Sequence, residues 1–372
     1  MLNSFKSYAA LLLAVLALAQ PARTGSAPAH PIIGVKLGRL EGEPDTVLRE
    51  LAAAGFNAVF VQASVCASPD FINYCHQAGL QVHAIFGVFV DAAAIREDPS
   101  LSQINALGNP MWAKRKNYRL VCPNRDDYRA TKLAAIAEFL KEYPVDGISL
   151  DFLRYGVEWE MIPPDATPGP DQEYCFCPTC LALFGRDRNL PPAEVPELAR
   201  LILTRHSAEW TDFKCRSITS MAQAIRDQAR ALRPGISITL HALPWTDRNY
   251  NDGARRLGGQ DFRALAGIID IFSPMNYHYM LRREVASISR QTEYMTQMGC
   301  RVLPCIQAGL IFRKDDGFTP DVFRETLEQA RRQPSIGINI YTWRDLHGNP
   351  AMRRVWDDFM AENALAHPDP PQ

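Results

Sequence analysis

The residues best suited to chemistry lie in "DGISLDFLRY", residues 146 to 155. Asp146 and Asp151 bracket an apolar run, and Arg154 and Tyr155 follow. Carboxylates in this setting suit cleavage of a glycosidic bond. That reaction needs a proton donor for the leaving oxygen and a carboxylate that acts as base, nucleophile or ion stabiliser. The near-continuous apolar run reads as a strand covered on both faces. On a strand the two aspartates stand about 16 Å apart, at ~3.3 Å per residue, too far to act as one catalytic pair. Asp146 begins the strand and is expected to bond nearby backbone. Asp151 leaves it and is the candidate catalytic carboxylate; the plainer alternative is a simple ion pair with Arg154. Glu158 and Glu160, just beyond, are the leading candidates for the second carboxylate, ahead of Asp247 and Asp345.

A second constellation is "CFCPTC", a C-x-C-x-x-C run of Cys175, Cys177 and Cys180, with Cys122 as a fourth member from an earlier segment. Thiolates at this spacing could hold a structural zinc that pins two long loops. In an exported chain the same residues could instead form disulfides, for instance Cys122 to one member of the run. Both readings stay open on sequence alone. Either role is structural, and no other cofactor is required. Cys66, Cys75, Cys215 and Cys300 have apolar neighbours and read as buried thiols.

The elements that must position these groups alternate regularly. Short apolar runs occupy 31–38, 56–63, 80–89, 145–155, 236–245, 268–278, 300–310 and 335–343. Between them lie segments of helical period such as "DTVLRELAAAG", "DYRATKLAAIAEFLKEY" and "DVFRETLEQARRQ", with "NPAMRRVWDDFMAENALA" closing the series. Eight β-then-α units predict an α/β fold, a (β/α)8 TIM barrel. An open doubly wound sheet is disfavoured because no G-x-G-x-x-G follows the first run. The connections after strands 3 (about 90–124) and 4 (about 156–205) are long and are expected to overhang one mouth of the barrel.

Barrel chemistry sits at the C-terminal strand ends. Those ends offer Lys36, Gln62, Asp91, Asp151, Arg154, Tyr155, His241, Trp245, Asn276, Tyr277, His278, Gln307, Trp343, Arg344 and Asp345. The set is polar and aromatic, as a carbohydrate groove requires: rings stack on sugar faces, and amides and carboxylates bind hydroxyls. Gln62, Arg154, Tyr155, His241, Trp245, Asn276, Tyr277, His278, Gln307, Trp343 and Asp345 are therefore candidate contacts to a polysaccharide or oligosaccharide. His83, mid-strand, is expected to pack inside the barrel.

The chain has 372 residues, 47% of them hydrophobic, and a formal net charge of -1. Near-neutral charge excludes a general electrostatic attraction to nucleic acid or anionic membrane. Residues 1–19, with Lys6, an apolar run and Ala17-Leu18-Ala19, read as a cleavable signal peptide. They predict a periplasmic or secreted protein with no stable membrane anchor after cleavage. A linker (20–30), one barrel domain (31–365) and a tail (366–372) complete the expected organisation.

Several stretches carry a family likeness. "GFNAVFVQ", "CHQAGLQVHAIFGVF", "LVCPNRDDYRATKLAAIAEFLKEYPVDGISLDFLRY" and "EWTDFKCRSITSMAQAIRDQARALRPGISITL" appear in this order. Together they resemble the bacterial glycosyl hydrolase-like family ten, exported barrels distantly related to family-18 chitinases. The resemblance implies a glycosidase and makes bacterial cell-wall glycan a reasonable substrate class. The chain departs from that family in lacking an early strand-1 arginine. It departs from the chitinases in placing Leu153 where their catalytic glutamate stands, so chitinase chemistry does not carry over. The reading is an exported glycoside hydrolase, with a catalytically inactive carbohydrate-binding barrel as the alternative. A metal-dependent deacetylase is disfavoured because no Asp/His/His set gathers at the strand ends.

Overall fold

A computed structural model describes residues 30–38, 42–111, 119–313 and 315–363. The expected signal peptide, almost all of the linker and the tail lie outside the described residues. The eight apolar runs each carry a strand: β1 Ile32–Leu37, β2 Ala58–Gln62, β3 Gln81–Gly87, β4 Gly147–Asp151, β5 Ser237–Ala242, β6 Ile271–Pro274, β7 Cys305–Gln307 and β8 Gly337–Tyr341. All paired strands run parallel, in the order β6-β5-β4-β3-β2-β1-β8-β7. The ring is closed between β6 and β7 by backbone bonds. Phe272 N–H donates to Arg301 O, Leu303 N–H to Phe272 O and Asn276 N–H to Cys305 O, each at 2.8 Å. This is the (β/α)8 barrel that the alternation predicts. Each strand is shorter than its apolar run, because the chain leaves the ladder before its apolar residues end.

The helices form for ordinary reasons. Pro44 starts the helix Pro44–Ala53, which buries Val47, Leu48 and Leu51 at helical spacing. The chain then reverses at Gly55, whose φ is +87°, in the left-handed region glycine tolerates. A Cβ there would also lie 2.6 Å from Met360. The last helix, Pro350–Glu362, fastens back onto this first unit. Its Trp356 donates to Ala54 O at 2.9 Å, and its ring stacks on Phe56 at 4.8 Å. The longest helix, Ser207–Leu232, buries Trp210, Ile218, Met221, Ala222 and Ile225 on one stripe.

Two cores result. The larger lies between sheet and helices. The smaller, Ala58, Phe60, Ile85, Ile271 and Leu303, plugs the inside of the barrel. Side chains alternate along a strand, so successive inward residues climb from that plug toward the mouth. On β4 these are Gly147, Ser149 and Asp151. His83 packs inside, stacked on Phe60 at 4.6 Å. In the same layer Ser149 Oγ meets His241 Nε2 at 2.9 Å, and Asn339 Nδ2 donates to Ser273 Oγ at 3.5 Å.

The two long connections pack on each other. Phe176 N–H donates to Ile104 O at 2.7 Å, and Ala106 N–H to Glu173 O at 2.9 Å. Gln103 bridges them, accepting from Gly156 N–H at 2.7 Å and donating to Val121 O at 3.0 Å.

Candidate active site

The C-terminal strand ends open into a cavity of about 520 Å³. Lys36 from β1, Gln62 from β2, Asp151 from β4 and Tyr341 from β8 line it, joined by Thr342, Trp343 and Arg344 just past β8. Val47 and Glu50, from the helix after β1, and His347 complete much of the wall. Of the sugar contacts read from sequence, Gln62 and Trp343 stand here beside Asp151. Lys36 and Arg344, also strand-end residues, join them.

Asp151 is held by the turn that ends β4. Its Oδ1 accepts the Phe152 N–H at 2.8 Å, and its carbonyl accepts Val88 N–H at 2.8 Å. Phe152 has φ +52°, a left-handed conformation in a bulky residue. Such strain costs about 1–3 kcal/mol and persists where the surroundings over-determine it. Among the described residues Asp151 makes no ion pair, so the simple pair with Arg154 does not form. Burial opposes its ionisation, but His241 when protonated, Lys36, Arg154 and the Phe152 N–H outweigh that and leave the carboxyl below its ordinary range. His241 is itself pushed down to about 3 by burial and by Lys36, so it is neutral near pH 7. The standing positive charge comes from Lys36 and Arg154. Lys36 is 7% exposed and lies 5.5 Å from the Tyr341 ring centre. The site therefore presents an anionic carboxylate beside a buried cation and an aromatic face.

Other residues expected to meet sugar turn into the protein. Arg154 is 1% exposed. Its guanidinium lies over the Phe152 ring at 4.8 Å and donates to the carbonyls of Tyr155 and Val157. Tyr155 is fully buried, and its hydroxyl accepts from Asn124 at 2.9 Å. Trp245 is fully buried against Tyr250. Gln307 accepts Met280 N–H at 3.1 Å and donates to Gly309 O at 2.7 Å, which fastens the chain after β6 to the end of β7. His241 lies one layer beneath Asp151, on Ser149. These placements share a cause: a residue at a strand end reaches the mouth only on the inward phase and only if the next loop does not cover it. Asn276 and His278 are also buried at the end of β6, where burial pushes His278 down to about 4.

The expected carboxylate partners lie outside the cavity wall. Glu158 is buried, its N–H donating to Gln172 Oε1 at 3.1 Å. Trp159, between Glu158 and Glu160, packs 6.0 Å from Tyr277, which packs 4.8 Å from Tyr341. That ring series ties the segment to the mouth. Thr342 caps the helix Trp343–His347: its hydroxyl accepts the Asp345 N–H and donates to the Asp345 carboxylate, which occupies that side chain; Asp247 is exposed on a turn. Glu50 and Tyr341 were not singled out from sequence. Tyr341 follows the inward alternation Gly337, Asn339, Tyr341, a signal legible in "SIGINIY". Glu50 sits on a helix, and nothing in its local pattern marks it.

On the two long connections, Cys122, Cys175, Cys177 and Cys180 are buried with their sulfurs all within 4.8 Å of one another. None of the nine cysteines forms a disulfide. The remaining five are isolated thiols; burial pushes Cys66, Cys75, Cys215 and Cys300 up to about 12.

Among the described residues no helix is long and apolar enough to cross a membrane. No family model matches the chain. Over 218 residues it is 25% identical to an S-layer-related protein of Niallia circulans, a match that covers 52% of this chain and only 13% of that protein. Solved structures resemble it more fully. The glycoside hydrolase domain of PgaB (BpsB) from Bordetella bronchiseptica superposes with a TM-score of 0.63 at 13% identity, over 88% of this chain and 98% of that one. A β-galactosidase from Marinomonas ef1 gives 0.64 at 11% identity, over 90% of this chain and 60% of that one. The α-L-fucosidase isoenzyme 2 of Paenibacillus thiaminolyticus gives 0.57 at 15%, over 90% and 50%. At these identities the likeness establishes the fold: the chain is built as the (β/α)8 barrels of glycoside hydrolases are.

Proposed function

We propose that this protein is an exported glycoside hydrolase acting on a polysaccharide, with Asp151 as its principal catalytic carboxylate. The observation that carries the proposal is the placement of Asp151 at the barrel mouth, in one cavity with Lys36, Gln62, Tyr341, Trp343 and Arg344. An ionised Asp151 cannot donate the leaving-group proton. Its role is the anionic one, as nucleophile or as stabiliser of an oxocarbenium-like transition state. Trp343 and Tyr341 offer flat faces to a sugar ring, and Gln62, Lys36 and Arg344 offer hydrogen bonds to its hydroxyls. The proton donor is a second carboxyl group: Glu50 lines the same cavity, and Glu158 and Glu160 flank the tryptophan that abuts the mouth.

The resemblance to glycosyl hydrolase-like family ten and the S-layer-related relative both fit a substrate outside the cytoplasm, bacterial cell-wall glycan foremost. The test is release of reducing ends from purified cell-wall and plant glycans by the wild type and by Asp151→Asn. Activity lost in the variant supports the proposal. Wild type that binds a glycan yet releases nothing means a carbohydrate-binding barrel, the reading favoured by the lack, among the described residues, of a second strand-end acid lining the cavity. Glu50→Gln, Glu158→Gln and Glu160→Gln, assayed side by side, identify the proton donor.

A further inference from the structure

We infer that Cys122, Cys175, Cys177 and Cys180 form a structural zinc site that locks the two long connections together behind the active site. Four thiols from two segments converge on one point. Cys122 Sγ lies 3.3 Å from Cys180 Sγ and 3.5 Å from Cys177 Sγ, and all four sulfurs lie within 4.8 Å of one another. Tetrahedral coordination at about 2.3 Å from each sulfur spaces the sulfurs about 3.8 Å apart. The cluster has the size of a shell around a single ion. It is too tight for thiols placed independently, and disulfides would draw the sulfurs together in pairs rather than around a common centre.

The surroundings supply what a thiolate shell needs. The Ile104 N–H points at Cys175 Sγ at 3.4 Å, the Asn124 N–H at Cys122 Sγ at 3.4 Å, and the Asn124 side chain at Cys180 Sγ at 3.3 Å. Donors aimed at three different sulfurs disperse thiolate charge, as the outer partners of metal ligands do. Cys177 precedes Pro178 at the start of the helix Pro178–Gly185 and Cys180 lies in its first turn, so the positive end of the helix dipole is at two of the four thiols. Lys214 is fully buried nearby, donating to Tyr174 O at 3.2 Å, with Glu173 between it and Arg256. Two cations against one carboxylate leave one positive charge beside a shell that carries two negative ones when zinc is bound. Dry burial favours zinc, because a closed four-thiolate site leaves no position for substrate or water.

The clamp reaches the active site through covalent neighbours. Asn124, two residues from Cys122, bonds the Tyr155 hydroxyl, and Tyr155 lies four residues past Asp151. Tyr155 N–H in turn bonds Gly258 O at 2.9 Å. Zinc here would hold the chain leaving β4 without contacting substrate.

The experiment is elemental analysis of the full chain purified without chelator, with alkylation of the native protein read by mass spectrometry. One zinc per chain, with these four thiols shielded until zinc is stripped under denaturing conditions, supports the site. So does cobalt replacement that gives thiolate-to-metal charge-transfer absorption and tetrahedral ligand-field bands. Cys177→Ser is expected to lower bound zinc at least tenfold, whereas Cys66→Ser, elsewhere in the fold, keeps it; should Cys177→Ser not fold, the wild-type measurements decide alone. A folded wild type without metal and with reactive thiols overturns the inference. So does a disulfide joining any two of the four, or iron in place of zinc. None of these readouts depends on glycosidase activity, so the zinc site and the hydrolase proposal can fail separately.

Discussion

Asp146 and Asp151 have the same side chain at the two ends of β4, one just before the strand and one as its last residue, and the fold uses them oppositely. Asp146 sits just below the strand, and its Oδ2 accepts Val82 N–H at 2.7 Å and meets His76 Nε2 at 2.9 Å. It ties β3 to β4 and faces the bottom of the barrel. The Asp151 side chain, at the top, accepts the next residue's N–H with one oxygen, and it stands in a cavity beside Lys36. A carboxylate satisfied by backbone stabilises the fold; one left facing a cavity, with cations holding it ionised, is available for chemistry. The neighbouring sequence does not separate the two cases. Position along the strand does.

Four experiments break or sharpen this contrast. Asp151→Asn is expected to lower glycan hydrolysis on the order of 10³-fold or more with little change in melting temperature. An active Asp151→Asn would remove the distinction between the two ends. The layer between them supplies the next largest effect. Burial lowers His83 to about 4 and His241 to about 3, and His278 near the mouth to about 4. An imidazole lowered in the folded state binds fewer protons than in the unfolded chain, so stability is complete above about pH 6.5 and declines as pH falls toward about 4. Each should lose about 2 kcal/mol between pH 7 and pH 5, visible as a falling melting temperature; a flat profile would place these rings in water.

Asp146→Ala removes an acceptor from a strand N–H and is expected to cost about 1–3 kcal/mol in denaturant unfolding. Its activity per folded molecule should stay at the wild-type level. A selective loss of activity would give Asp146 a role that its position denies. The smallest effect should follow Lys36→Met. Without this cation the Asp151 carboxyl rises, so the acid limb of the pH–activity profile moves to higher pH while the fold is kept. An unmoved limb would mean that Lys36 does not hold Asp151 ionised.

Most of the architecture was legible in the residues. Eight apolar runs alternating with helical periods predict the barrel, and the length of strand in "DGISLD" places Asp146 and Asp151 at opposite ends. The C-x-C-x-x-C spacing and Cys122 mark one cluster, though not its state. Much of the site was not legible. Tyr155, Trp245, Arg154 and Gln307 have the chemistry of sugar contacts, yet loop packing buries them. Glu50 reaches the cavity from a helix whose local pattern is that of any solvated face.

The sequence by itself determined which segments become strands and helices, and which strand ends carry polar groups, because those follow from side-chain period and turn chemistry along a few residues. Only the tertiary structure decided which of those groups share a cavity and which are covered. That depends on barrel closure, on inward phase and on two long connections packing on each other. It also brought Cys122 to the other three thiols, since their convergence is set by packing between segments more than 50 residues apart.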